Sequence, residues 1–282
     1  MNFFIKTYLI LFLVLLFGCK NNKEVSTPEI KNEDINVLMI EAYQDGLKEL
    51  ENGYAIIAAK KFNEAEILFP QSIWAPRSSL MAAYSYYSQD YYEDSINELI
   101  RFLKTYPNNI RTDYARYLLA MNYYEQIINE KKDLGPIIEA KNNFIIVNKN
   151  FPNSDFALDA EYKLNLIEEM LASKEMYLAK YYSKKEKWIP AINRYKEVLK
   201  TYSTTIFVEE ALHRLVEIHY KLGLKDESKK YASMLGYNYQ SSEWYEKSYK
   251  IFNKNYVKET IEKNKKIKKT TLEKIKSLLS FK

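Results

Sequence analysis

The sequence predicts an all-α protein, a right-handed superhelical array of about five helix pairs, and three observations lead there. Turn formers are scarce, with six Gly and seven Pro in 282 residues, too few for the many tight turns of an all-β chain. The 26 tyrosines suit long helices that pack through aromatic side chains. Third, helical stretches stop at intervals on an aromatic residue and a turn former: Phe69-Pro70, Tyr106-Pro107, Phe151-Pro152 and Tyr202-Ser203. Their spacings of 37, 45 and 51 residues are those of a stacked repeat with insertions.

The elements follow in order. Lys6, the apolar run Tyr8 to Phe17 and the small residue Gly18 form a secretory leader over residues 1–18. The run is too short for a transmembrane helix, which needs roughly 20 residues. Cys19, the only cysteine, follows at once, so Leu16-Phe17-Gly18-Cys19 resembles a bacterial lipobox whose cysteine is acylated. Phe17 is bulkier than the residue usual there. Acyl chains at Cys19 would hold the chain on a membrane, each buried CH₂ contributing about 0.8 kcal/mol. Lys20 replaces the Asp common in lipoproteins kept at the inner membrane, so the resemblance implies the outer membrane. Residues 19–34 are polar, contain Pro28 and read as a flexible tether.

Residues 35–253 form the repeat domain. Twelve, eight and five residues before each turn former stand a small, a large and a medium residue. They are Ala58, Phe62, Ala65; Ser95, Leu99, Phe102; Ala140, Phe144, Val147; and Ala191, Tyr195, Val198. The first helices carry small residues Gly46, Ala83, Ala120 and Ala179, with Tyr86, Tyr123 and Tyr182 three positions on. Val216, His219, Ser228, Ala232 and Leu235 fill these slots in a degenerate fifth repeat, its helices separated by Gly223. Gly135-Pro136 and Pro190 mark starts of second helices, where proline's missing N–H has no partner to lose. Small residues that let paired helices approach closely are the signature of the tetratricopeptide repeat. The third repeat gains a loop from Gln126 to Leu134, and the fourth gains a long first helix from Asp155 to about Lys185.

The remaining residues, 254–282, hold ten Lys against three Glu, an excess of seven that is larger than the formal charge of +5 of the whole chain, so the body is slightly acidic. Leu272, Ile275 and Leu279 make a narrow apolar stripe there; a solvated extension is the first reading, and a second contact with a membrane or a partner is the alternative.

No catalytic constellation emerges, and the chain is expected to be no enzyme. His213 and His219 lie six residues apart, off a common helical face and without cysteine, so no metal or other cofactor is expected. The body lacks the basic stripe that nucleic-acid binding requires. The inner surface offers more. Positions −6, −3, +1 and +4 from each small residue line a concave groove: Ile40, Tyr43, Leu47 and Leu50, then Arg77, Leu80, Tyr84 and Tyr87, then Tyr114, Tyr117, Met121 and Tyr124. Tyrosines offer large contact area and arginine pairs bidentately with carboxylate, so this groove suits an extended peptide ending in an aromatic residue and a carboxylate.

One family fits this order of features. The lipobox cysteine, the tether and five repeats are joined by Phe151-Pro152-Asn153-Ser154, Phe156-Ala157-Leu158-Asp159-Ala160 and Trp188-Ile189-Pro190-Ala191-Ile192-Asn193-Arg194. Together they resemble the BamD family, tetratricopeptide lipoproteins of the outer-membrane β-barrel assembly machinery. The similarity covers roughly Ile35 to Tyr249. It implies an adaptor on the periplasmic face of a Gram-negative outer membrane, alongside other lipoproteins of the complex. The C-terminal half would bind POTRA domains of the barrel-forming BamA subunit, with Arg194 against a POTRA carboxylate. The N-terminal repeats would receive the aromatic-ending C-terminal signal of unfolded outer-membrane proteins. The alternative is an adaptor of another envelope complex, such as the Tol-Pal coordinator.

Overall fold

The structure is a computed structural model that describes residues 32–128 and 133–253. The leader, Cys19, most of the tether and the basic tail lie outside the described residues, as does part of the Gln126–Leu134 connection. Among the described residues there are eleven helices and no strand. They are α1 (Asn32–Glu51), α2 (Ala55–Leu68), α3 (Ala75–Tyr87), α4 (Tyr92–Thr105), α5 (Thr112–Glu125) and α6 (Gly135–Asn150). Then come α7 (Ala157–Lys184), α8 (Trp188–Thr201), α9 (Val208–Lys221), α10 (Lys225–Asn238) and α11 (Glu243–Phe252). The first ten form five tetratricopeptide pairs. Helix α1 starts at Asn32, inside the stretch expected to be tether.

The small–large–medium triplets are the core. Ala58, Phe62, Ala65, Ser95, Leu99, Phe102, Ala140, Phe144, Val147, Ala191, Tyr195 and Val198 are all buried. The reason for the small positions is visible at Gly46, where an added Cβ would lie 2.9 Å from the Phe62 ring. In the fifth repeat, buried Ser228 donates from Oγ to the Val216 carbonyl at 2.8 Å, and His219 Nδ1 sits 2.7 Å from the Leu215 carbonyl.

Seven residues after the small position, four repeats turn through the left-handed region: Gly53 (φ 80), Asp90 (φ 62), Glu186 (φ 59) and Gly223 (φ 79). The turn is a property of the repeat, and glycine fills only two of its four occurrences. Among the described residues the third repeat shows no such turn, and its longer connection leaves α5 at Gln126.

Packing divides the array into neighbouring clusters, as expected where each repeat touches only the next. Helix α7 belongs to two of them. Its Ala160 and Ile167 pack with Ala120, Ile137, Phe144 and Val147, whereas Met176 and Ala179 pack with Tyr195, Leu212 and Leu215. It is therefore a rigid bar joining repeats one to three with repeats four and five. Helix α11, absent from the repeat pattern, closes the far end. Its Ser248 Oγ is 2.8 Å from His213 Nδ1, and its Trp244 ring lies 5.2 Å from the His213 ring.

Candidate peptide cleft and partner surface

The turn after α2 and the turn after α4 stand side by side, and between them opens a cleft of about 490 Å³. Helix α3 supplies Pro76, Arg77, Leu80 and Met81; the neighbouring turn and α5 supply Asn109, Ile110, Arg111 and Tyr114; Ile73 and Phe156 complete the wall. Ile73 and Ile110 are 89% and 88% exposed, so the rim presents two isoleucines almost wholly to solvent. Apolar side chains gathered around a cleft in this way mark a place where something binds.

Arg77 is the polar feature. Its guanidinium carbon lies 5.1 Å from the Trp74 ring and 5.6 Å from the Tyr43 ring, held by cation–π attraction. Tyr43 and Trp74 meet edge to face at 5.4 Å, so the support is itself fixed. A guanidinium pinned by its face keeps its in-plane N–H donors for a ligand.

Of the expected groove residues, Arg77, Leu80 and Tyr114 line the cleft. Tyr43 is corrected: it is buried in the first core cluster and serves by carrying Arg77, not as an open wall. Beyond the cleft, Tyr114 and Tyr117 lie 5.2 Å and 5.0 Å from Phe156, and Tyr117 donates to Asp159 Oδ2 at 2.7 Å. Burial, then the nearby Tyr84 and Tyr87, pushes the Tyr114 hydroxyl up to about 12. Burial and the Asp159 bond push Tyr117 up as well, so both stay neutral donors across the physiological range. Tyr84 is exposed, Tyr87 is partly buried against Tyr92, and Tyr124 is partly buried with Lys163 Nζ 4.5 Å above its ring. The structure thus brings most of the expected residues to one face, but only three to the cleft.

Sequence reasoning passed over Ile73, Ile110, Arg111 and Phe156. A signal existed. Three residues after each turn former stand Ile73, Ile110, Asp155 and Ile206, isoleucine in three turns where a polar residue is the norm. Ile206 is 78% exposed, which makes the position a repeated feature of this edge.

Arg194, on the outer helix α8, is 44% exposed, and its Nη1 meets Glu175 Oε1 and Oε2 of α7 at 3.1 and 3.0 Å. Nearby, burial alone would raise the Glu217 carboxyl, but hydrogen bonds from His213 and Arg214 outweigh it and bring it down to about 2. Both histidines therefore have packing partners: Ser248, Glu217 and Trp244 for His213, and Leu215 and Tyr231 for His219. Among the described residues no helix is long and apolar enough to cross a membrane.

The family YfiO, described as outer membrane lipoprotein, matches residues 36–235. The chain belongs to this family. A relative from Rickettsia prowazekii, named outer membrane protein assembly factor BamD, is 37% identical over 243 residues, covering 86% of this chain and 94% of its own length. The protein of that name from Caulobacter vibrioides is 33% identical over 261 residues, covering 92% of this chain and 84% of the relative. The Vibrio cholerae counterpart is 26% identical over 227 residues, 77% and 91% of the two chains. The relatives are named as assembly factors, in keeping with a binding scaffold. The matched region ends at Leu235, so α11 lies beyond what the family model covers.

Proposed function

We propose that the chain is a lipid-anchored scaffold on the periplasmic face of the outer membrane, acting in the assembly of outer-membrane barrel proteins. Its cleft between α3 and α5 takes the C-terminal segment of an unfolded barrel protein. An aromatic side chain enters beside Leu80, Met81, Tyr114 and Phe156, and the terminal carboxylate meets Arg77. The face around Arg194 serves the POTRA region of the barrel-forming subunit, further lipoproteins of the complex attach elsewhere, and Cys19 carries the acyl chains. The observation that carries this reading is an open apolar cleft with a fixed arginine on its wall. The name shared by the relatives supports the assembly role, and gives no support to the Tol-Pal alternative.

The test is a photoreactive residue placed at Ile110, with a second at Ile57 as control. With an unfolded barrel protein present, crosslinking is expected at position 110 and not at 57. Removing the client's last residues is expected to abolish it. Equal crosslinking to the truncated client would overturn the reading.

A further inference from the structure

The chain has six arginines, and their partners divide them. Arg101 pairs with Glu66 and Glu98, Arg194 with Glu175, and Arg214 with Glu210 and Glu217. Arg77, Arg111 and Arg116 have no such partner among the described residues, and of these Arg77 and Arg111 line the cleft. No acidic side chain lines it with them. The nearest acid in sequence, Asp113, is engaged: Oδ1 accepts from the Tyr114 N–H at 2.7 Å and Oδ2 from Ser154 Oγ at 3.0 Å. The cleft therefore holds two positive charges that no acidic side chain pairs with among the described residues.

The two arginines are held differently. Arg77 rests over the Trp74 and Tyr43 rings, on the α3 wall that also carries Leu80. Arg111 stands at the entry to α5, its backbone N–H fixed by Asn109 Oδ1 at 2.9 Å and its side chain exposed. Both are exposed, but Arg77 is backed by two rings on the apolar wall and Arg111 stands on the rim. A ligand with a single terminal carboxylate brings one negative charge to two positive ones.

Resting on the peptide reading above, we propose that Arg111 is a second specificity-determining residue and that the preferred ligand carries two carboxylates. The terminal carboxylate beside the aromatic residue goes to Arg77. An acidic side chain within the last few residues goes to Arg111. Because Arg111 is exposed, the second contact is modest, about fivefold in affinity, and is screened by salt. It sorts clients by charge near their C-terminus without deciding whether they bind.

Four fluorescent ten-residue peptides ending in Phe test this on the full chain in detergent. They carry Glu or Gln at the third position from the end, each with a free or an amidated terminus. For the wild type, both the Glu→Gln change and amidation are expected to weaken binding at low salt, and 0.5 M salt to shrink the first effect. Arg111→Gln is expected to erase the Glu preference and keep the penalty for amidation. Arg111→Lys should restore part of the Glu preference, and circular dichroism should report an unchanged fold throughout. A free terminus preferred with no Glu preference in the wild type overturns the role of Arg111 and leaves the peptide reading standing. A Glu preference that survives Arg111→Gln overturns it equally. Failure of all four peptides to bind overturns both.

Discussion

Gly46 shows how much one atom decides in this packing. A Cβ there would lie 2.9 Å from Cδ1 and Cε1 of Phe62, and that ring is braced by the edge of Tyr43 at 5.2 Å. Gly46→Ala gains about 1 kcal/mol of helix propensity but overpacks a buried contact, typically about 1–3 kcal/mol. A net loss of about 1 kcal/mol is expected in urea unfolding. Adding Phe62→Leu should recover part of it, because the two residues touch and their effects couple. Strict additivity of the two substitutions would count against the contact as the cause. Residues of this kind were legible in the sequence, since burial against a partner helix leaves a residue-type trace at a fixed offset. Arg77, Leu80 and Tyr114 were found by the same offset, counted from Ala83 and Ala120. Ile110, Arg111 and Phe156 escaped because they reach the cleft from a turn and from the next helix pair, where helical spacing gives no guide.

At the scale of elements, the turn between paired helices shows what residue types conceal. Gly53 and Gly223 advertise a left-handed residue, whereas Asp90 and Glu186 adopt the same backbone without advertising it. A non-glycine residue there is disfavoured by roughly 1–2 kcal/mol. Glycine loses part of that advantage to its greater freedom in the unfolded chain. Glu186→Gly is therefore expected to stabilise by about 0.5–1 kcal/mol, although it removes the exposed 3.5 Å pair with Lys221, which contributes little. Gly223→Ala should destabilise by about 1 kcal/mol. Thermal unfolding of both variants checks the pair, and shifts in the same direction would contradict the argument. The helices themselves were legible, including the long α7, because apolar periodicity ran unbroken between stops. Helix α11 was not, since it follows no repeat register and is tied on by His213, Ser248 and Trp244, contacts no spacing rule announces.

At the scale of the whole molecule, α7 places the cleft at one end and Arg194 at the other on a single stiff frame. The proposed partner surface is already occupied from within: Arg194 is 44% exposed, while the Glu175 carboxylate it binds is only 14% exposed. A partner carboxylate must therefore share or displace Glu175, and this makes the interface separable into two roles. If Arg194 contacts the partner directly, Arg194→Gln should lower co-purification of the barrel subunit from detergent-solubilised membranes. Removing one member of such a charged interface pair costs about 2–5 kcal/mol. Stability should fall by about 1 kcal/mol, because Arg194 is half exposed while the Glu175 carboxylate it leaves is largely buried. Arg194→Glu should do more damage, since the new carboxylate faces Glu175 as well as the partner. Glu175→Gln is the deciding variant. It frees the guanidinium, so co-purification should hold or rise, with circular dichroism unchanged. If Glu175→Gln instead lowers co-purification as much as Arg194→Gln does, the pair acts by holding α7 against α8, and the direct contact is refuted.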